Sequence, residues 1–440
     1  MKGVGLVFFP AFDWCITPDH PEREERLLYT RDQIEEEGLL DLPEFREYRP
    51  RLAESRELSR AHVFVPDIKA HVTESHLVAA GGAIAAADLV LDGKEERACA
   101  LVRPPGHHSM RFVHGSRGFC LVNNEAVMVE HIRHRLGPQA KIAIVDTDVH
   151  HGDGTQDIYY NDPNVLHISL HQDGRTLYPG TGFAHERGGP GAFGLTVNIP
   201  LPPGTGDAGV LYVIEKLVLP ILHDWQPDLV INGAGQDNHF TDPLANMEVT
   251  AQGYARLTEL LKPDIVVLEG GYSVEGALPY VNLGILLALA GLDYSRVVEP
   301  GLARVRPHQS QAVSDSIARL VGQLGEMWAQ RGDADLEAHF GFGRSQFFQR
   351  QRMIYYDTAG ITETQINSIR LCASCPGWEL AVSRSDRYTF ATTAVLLPWN
   401  ACPQCRAEAE AAYEEHCQAG KAKRVVFCDL PNDKILEFTK

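Results

Sequence analysis

The chain has 440 residues, 44% hydrophobic and 22% charged, the composition of a globular protein with about two to three domains and a large buried core. Its 40 Lys and Arg against 58 Asp and Glu leave a net charge of −18. That balance argues against nucleic acid as a direct ligand, because neutralising phosphates needs clustered cations. It suits cationic partners such as polyamines or lysine-rich tails, with plain solubility as the other reading. No run reaches about 18 consecutive apolar residues, so no membrane span is expected. The nearest approach, 281–290, reads as a buried helix.

In chain order, the first run, MKGVGLVFFPAFDW, is interrupted by Pro10 and Asp13 and lacks a small-residue cleavage site. It reads as a first strand and not as a signal peptide, which points to a cytoplasmic protein. Residues 20–40 read as an acidic amphipathic helix opened by Pro21, its arginines serving a solvated face or loop packing. His71 and His76 flank a small-residue helix with no metal motif beside them, and read as core or surface residues. An apolar stretch, 98–102, then leads into RPPGHH. Pro104 and Pro105 stiffen the chain and Gly106 lets it turn, presenting His107 and His108 together. Adjacent imidazoles can hold different partners and different charges, which suits proton transfer.

The next segment, KIAIVDTDVHHGDGTQ (141–156), is the most informative. A short apolar run ends in Asp146, Asp148 and His150, and on a strand these i, i+2, i+4 positions leave one face. Two carboxylates and an imidazole there suit a divalent metal at the carboxyl end of a parallel strand. The alternative is a polar strand-to-loop junction with hydrogen-bonded histidines. Gly152 and Gly154 bracket Asp153 and let the chain bring that acid into the same region. Two further strand-and-glycine segments follow. PDLVINGAGQD (227–237) ends in Asp237, a third candidate ligand or a helix cap. PDIVVLEGGY (263–272) ends in Tyr272, whose phenol can donate to an oxyanion or simply pack at a turn.

Residues 1–300 thus alternate strand-like and helical patterns, the mark of a parallel, helix-covered sheet. A helix within 301–335 closes a catalytic unit of residues 1–335, residues 336–365 read as a linker, and 366–440 form a third segment. Cys15, Cys99 and Cys120 are scattered, whereas six cysteines crowd the tail. CASC (Cys372, Cys375) and CPQC (Cys402, Cys405) make two Cys-x-x-Cys knuckles, with strand-favouring residues between them. In a cytosolic chain this reads as a four-cysteine zinc ribbon, with a redox pair or free thiols as alternatives; Cys417 and Cys428 have no assignment.

RPPGHH, GFCLVNN (118–124), DTDVHHGDGTQ, SLHQ with YPGTG (169–182), DNHFTDPL and EGGY resemble, in order and spacing, the zinc-dependent histone deacetylase and acetylpolyamine amidohydrolase family. The wording is nearer class II and its bacterial relatives, and the resemblance spans about residues 1–300. It implies an α/β, arginase/deacetylase-type three-layer fold with a central, mostly parallel sheet, to which the tail adds a small Cys-rich β domain. It also implies removal of acetyl or another short acyl group from acyl-lysine in protein or from an acetylpolyamine. Asp148, His150 and Asp237 would hold Zn2+. His107 and His108 would be base and acid, polarised by Asp146 and Asp153, and Tyr272 would stabilise the oxyanion. Phe119 and Tyr178 would wall a narrow channel, with the Gly118 carbonyl accepting a substrate N–H. Asp146, Asp148, His150, Ser169 and Leu170 match a monovalent-cation (K+) site, mostly through backbone carbonyls. The chain departs from the family at Gln236, where Phe is usual and a polar side chain is expected to reshape the site's floor, and at Ser109 and Tyr178. A two-manganese ureohydrolase is the main rival, but position 239 is His where that chemistry wants a second Asp. An inactive acyl-lysine binding module is the other. An oligomer is compatible with all three readings.

Overall fold

The computed structural model describes residues 3–8, 16–17, 19–305 and 307–440. Pro10, Asp13 and Cys15, named above, lie outside the described residues. The first ten strands are β1 (Val4–Phe8), β2 (Phe45–Tyr48), β3 (Val63–Phe64), β4 (Arg97–Leu101), β5 (Phe112–Val113), β6 (Ile142–Asp146), β7 (Val165–Gln172), β8 (Thr196–Leu201), β9 (Leu229–Ala234) and β10 (Ile265–Leu268). Eight of them form one sheet in the order β2-β1-β4-β10-β9-β6-β7-β8, and every neighbouring pair is parallel. β3 and β5 pair separately. The central strands read IAIVD, LVINGA and IVVL, near-continuous apolar runs, as strands covered by helices on both faces require.

The four strands that end in the motifs, β4, β10, β9 and β6, are contiguous in the middle of the sheet. Their carboxyl ends therefore open onto one place, although the motifs span residues 104–272. Two large apolar clusters cover the two faces of the sheet. The helix Glu74–Leu91 is long and apolar enough, by length and composition, to cross a membrane. Counting consecutive apolar residues passes over it because Glu74, His76 and Asp88 interrupt the run. In the fold it packs against β1, β4 and the helix Asn124–Leu136.

A second sheet is built from β11 (Phe347–Tyr356), β12 (Ile361–Arg370), β13 (Glu379–Ser385), β14 (Ala391–Leu397), β15 (Arg424–Asp429) and β16 (Lys434–Thr439), in chain order. All its pairs are antiparallel except β14 with β15, which the helix Pro403–Ala419 connects. The stretch 336–365, expected to be a linker, instead carries β11 and the start of β12, paired from Phe347–Arg370 to Tyr356–Ile361. The reason lies in the alternation of β11: Arg350 and Arg352 share the inward positions with Ile354 and Tyr356. Arg352 is held there by Asp157 of the first domain at 2.6 Å. The second sheet shares a core with the β3–β5 pair, in which Val63, Val65 and Phe112 pack with Ala381, Ala394 and Val426.

Candidate active site

The β6 end carries Asp148 and His150 on the turn that follows it, and the β9 end carries Asp237. His150 Nδ1 lies 3.1 Å from Asp148 Oδ1 and 3.1 Å from Asp237 Oδ2. One donor atom from each residue lies within 4.8 Å of the others, and the trio is buried. Glycines make this crowding feasible. A Cβ on Gly235 would sit 2.1 Å from Asp148 Oδ2, and one on Gly270 would sit 2.4 Å from Asp237 Oδ2. The electrostatics show what the cluster favours. Burial and the neighbouring Asp148 raise the Asp237 pKa. Burial opposes a charge on His150, yet its bonds to Asp148 and Asp237 push its pKa up to about 10. The carboxylates thus favour positive charge at this point. Two oxygens and one nitrogen at this spacing fit a zinc ion with ligands about 2.0–2.2 Å away.

The loop after β4 places the tandem histidines beside this trio, with ring centroids 4.1 Å apart. His107 Nδ1 is 2.9 Å from Asp146 Oδ2, and its Nε2 is 3.7 Å from Asp148 Oδ1. His108 Nδ1 is 2.9 Å from Asp153 Oδ1, and Asp153 is also held by Arg117 at 2.6 Å. These partners drive the two imidazoles apart in charge. Burial opposes the His107 charge, but Asp148 and Asp146 raise its pKa well above the ordinary value. Burial, and then the His107 charge, lower His108 to about 3. Glu269 fixes the loop by accepting the backbone N–H groups of Gly106 (2.6 Å) and His107 (3.1 Å).

Tyr272 is buried, and burial keeps its phenol protonated well above its usual range, so it stays a donor. Its backbone N–H donates to Asp242 at 2.7 Å. Burial, followed by the Asp237 charge, lifts Asp242 to about 7. Phe119 stands 5.5 Å from the Tyr272 ring, and Tyr178 stands 5.1 Å from the His108 ring. Phe119 has φ 69°, a left-handed conformation uncommon outside glycine. The Gly118 carbonyl accepts the Cys120 S–H at 3.3 Å. Of the residues expected around a monovalent cation, Asp146 lies level with Ser169 across β6 and β7. The Ser169 hydroxyl pairs with His171 Nδ1 at 2.9 Å, and Leu170 is buried in the main core.

The other residues named in the sequence take structural partners. The Gln236 amide donates to Asn282, which in turn donates to Thr30. His239 faces Glu299 and Thr241, at 3.2 and 2.9 Å. His76 completes the capping box of its helix, and His71 bonds the Val65 carbonyl. The arginines of the first helix (Glu25–Glu36) are not confined to a solvated face. Arg26 is fully buried and donates to Gly271 O (2.7 Å) and Glu269 O (2.5 Å). Glu22 links it to Arg103 of the RPPGHH loop. Sequence reasoning missed Arg26, Glu22, Glu269 and Asp242. Only Glu269 and Asp242, inside the EGGY and DPL segments, offered a signal.

In the second domain, Cys372, Cys375, Cys402 and Cys405 converge with all four sulfurs within 4.8 Å, and Cys372 Sγ lies 3.9 Å from Cys402 Sγ. A tetrahedral zinc with about 2.3 Å bonds to sulfur sets sulfurs at about this separation. Backbone N–H groups of Ser374, Gly377 and Cys405 point at Cys372, Cys375 and Cys402 from 3.4, 3.4 and 3.5 Å. Burial opposes ionisation of Cys372, but the Ser374 N–H and neighbouring thiols bring it to about 7. None of the described cysteines is disulfide-bonded. Cys428 is buried in the shared core, apart from the knuckles.

Residues 63–282, half of the chain, match the histone deacetylase domain model. The chain is 45% identical over 311 residues to a protein of Archaeoglobus fulgidus named "Probable deacetylase", covering 64% of this chain and 85% of that one. It is 38% identical over 210 residues to the acetylpolyamine amidohydrolase of Burkholderia pseudomallei, covering 47% of this chain and 60% of that one. The crystal structure of the HDA15 HD domain superposes with a TM-score of 0.65 at 29% identity, over 76% of this chain and 97% of that one. An α/β sheet with this order and these strand ends defines the deacetylase fold class. The chain belongs to the histone deacetylase family of amidohydrolases.

Proposed function

We propose that the chain is a zinc-dependent amidohydrolase that removes acetyl or another short acyl group from a primary-amine-derived amide, in acyl-lysine or an acylated polyamine. The observation that carries this reading is the buried Asp148–His150–Asp237 trio facing the Asp-paired tandem histidines. Asp148 and Asp237 would hold the metal through carboxylate oxygens and His150 through Nδ1. When bound, zinc supplies a water of lowered pKa, towards ~7, and polarises the acyl carbonyl. Asp146 and Asp153 fix Nδ1 of His107 and His108, which leaves both Nε2 atoms for proton transfer. The resemblance gives the base to His107 and the acid to His108. Tyr272 donates its phenol to the developing oxyanion. Phe119 and Tyr178 line the approach and admit a linear chain.

The same reading places a second zinc on the four cysteines of the tail, and a monovalent cation by Asp146, Asp148, His150, Ser169 and Leu170. The catalytic unit is residues 1–335. The position of His239, turned to Glu299, favours one catalytic metal over the two of a ureohydrolase. The test is hydrolysis of one panel: acetyl-lysine peptide, longer acyl-lysine peptides, acetylputrescine, acetylspermidine and arginine, with Asp237→Ala as blank. Turnover of an acyl amide that is lost in the mutant and blocked by a hydroxamate is the expected result. Turnover of arginine alone would move the chain to the ureohydrolases, and silence throughout would favour a binding module.

A further inference from the structure

The second domain reaches the catalytic channel through one hairpin. The turn between β11 and β12 carries Asp357, whose Oδ1 accepts the Gly118 backbone N–H at 2.9 Å and the Tyr178 hydroxyl at 3.1 Å. Both partners belong to the channel wall. The Tyr178 ring that meets His108 at 5.1 Å therefore carries this carboxylate at its far end. The hairpin is firmly seated. Ile354, Tyr356 and Ile361 are buried together with Met110, and Tyr356 donates to Phe112 O at 2.7 Å. Gly115 leaves room for the turn, since a Cβ there would lie 2.6 Å from Ala359 Cβ.

Asp357 has no cation of its own among the described residues. The Arg117 guanidinium, over the Tyr178 ring, donates to Asp153 at 2.7 Å and to the Tyr355 carbonyl at 3.2 Å. Asp357 Oδ2 has no partner among the described residues, and the residue is only half-buried. A carboxylate with one oxygen fixed and one open, standing a tyrosine's length from the catalytic imidazole, is a receptor for a positive group. Such a carboxylate beside the channel wall suits the second nitrogen of a short acylated diamine.

We infer that Asp357, supplied by the C-terminal domain, is a specificity-determining residue that selects acyl-amine substrates carrying a second, protonated amine. This rests on the deacylase reading and adds the substrate class to it. Asp357→Asn keeps an oxygen for Gly118 and Tyr178 but removes the charge. The full-length enzyme and this variant are assayed with N-acetylputrescine and with its neutral isostere N-acetylpentylamine. The wild type is expected to prefer the cationic substrate, and Asp357→Asn to cut the ratio of the two kcat/KM values about tenfold or more, mainly through KM. Asp357→Ala, which also frees Tyr178 and Gly118, is expected to slow both. An unchanged ratio in Asp357→Asn, or equal losses on both substrates, would overturn the inference while leaving the deacylase reading intact. If the wild type hydrolyses acetyl-lysine peptide but neither amine, the inference also falls alone. Failure on every acyl amide brings down both.

Discussion

The Arg26 guanidinium lies 5.0 Å from the centre of the Tyr272 ring while donating to the carbonyls of Gly271 and Glu269. One side chain thus grips the turn on both sides of the phenol and stacks on its face. Positive charge over the ring favours a phenol that donates, and the two backbone bonds fix where it points. Glu22 balances the buried charge at 3.2 Å and ties the assembly to Arg103, two residues before Pro105.

Removing the phenol tests its role directly. Tyr272→Phe is expected to lower kcat about 10²–10³-fold with KM and zinc content nearly unchanged, the loss typical of one oxyanion donor. Arg26→Met is expected to lower kcat about tenfold or more by loosening the turn. Because Arg26 acts through Tyr272, the double variant should be little worse than Tyr272→Phe alone. Additive losses in steady-state kinetics would show that Arg26 acts elsewhere.

Mutation can separate the two candidate metal sites. The purified chain is expected to carry two zinc per molecule by elemental analysis. Asp237→Ala should lose one equivalent and all turnover, with the C-terminal domain intact. Cys375→Ser should lose the other equivalent, and its thermal transition should fall because zinc binding supplies folding energy there. Two manganese ions retained in Cys375→Ser would contradict the zinc reading.

The parts of the site that were legible in the sequence share one physical signature. An apolar run ending in glycine and a charged residue means a buried parallel strand whose end carries chemistry. β4, β6, β9 and β10 all have it. Arg26 was not legible, because a buried arginine in an acidic helix has the same spacing as a solvated one. β11 was hidden for the same reason: Arg350 and Arg352 occupy inward positions where a strand is expected to show apolar side chains, since Asp157 meets them from the other domain. Asp357 acts 239 residues away from Gly118, and no local pattern reports a contact of that kind.

Acid should destabilise the fold through its buried neutral histidines. Burial lowers His62 and His76 to about 3. His62 is locked as neutral imidazole, with Nδ1 2.8 Å from Met110 O and Nε2 accepting the Asn123 N–H at 2.9 Å. In the unfolded chain each would take up a proton as pH falls through about 6.5. The unfolded state therefore binds more protons between pH 6.5 and about 3, and stability is lost as pH falls across that window. Each such histidine contributes up to ~1.4 kcal/mol per pH unit. His131 works in the opposite sense: burial opposes its charge, but Asp88 and Glu57 raise its pKa. Its contribution is present in acid and is lost as pH rises through that raised value. Urea midpoints at pH 8, 6 and 5 should fall in that order, and His62→Gln should flatten the fall by about one proton's worth. An equal slope in the variant would exclude His62 as a source.

The division of labour between the tandem histidines can be read from one isosteric change. Turnover is expected to follow a bell-shaped pH profile whose limbs belong to the coupled histidine and metal-water unit. Asp146 touches His107 at 2.9 Å, while His108 rests on Asp153. Asp146→Asn removes the negative charge beside His107 and keeps an acceptor for its Nδ1. Removing an anion lowers an imidazole's pKa. If His107 is the charged partner that donates to the leaving amine, its deprotonation forms the alkaline limb, and that limb should move to lower pH by about one unit. A shift of the acid limb instead would make His107 the acceptor, as the family resemblance implies. Limbs that stay in place while kcat falls would leave His107 an orienting role only, with His108 carrying the proton both ways.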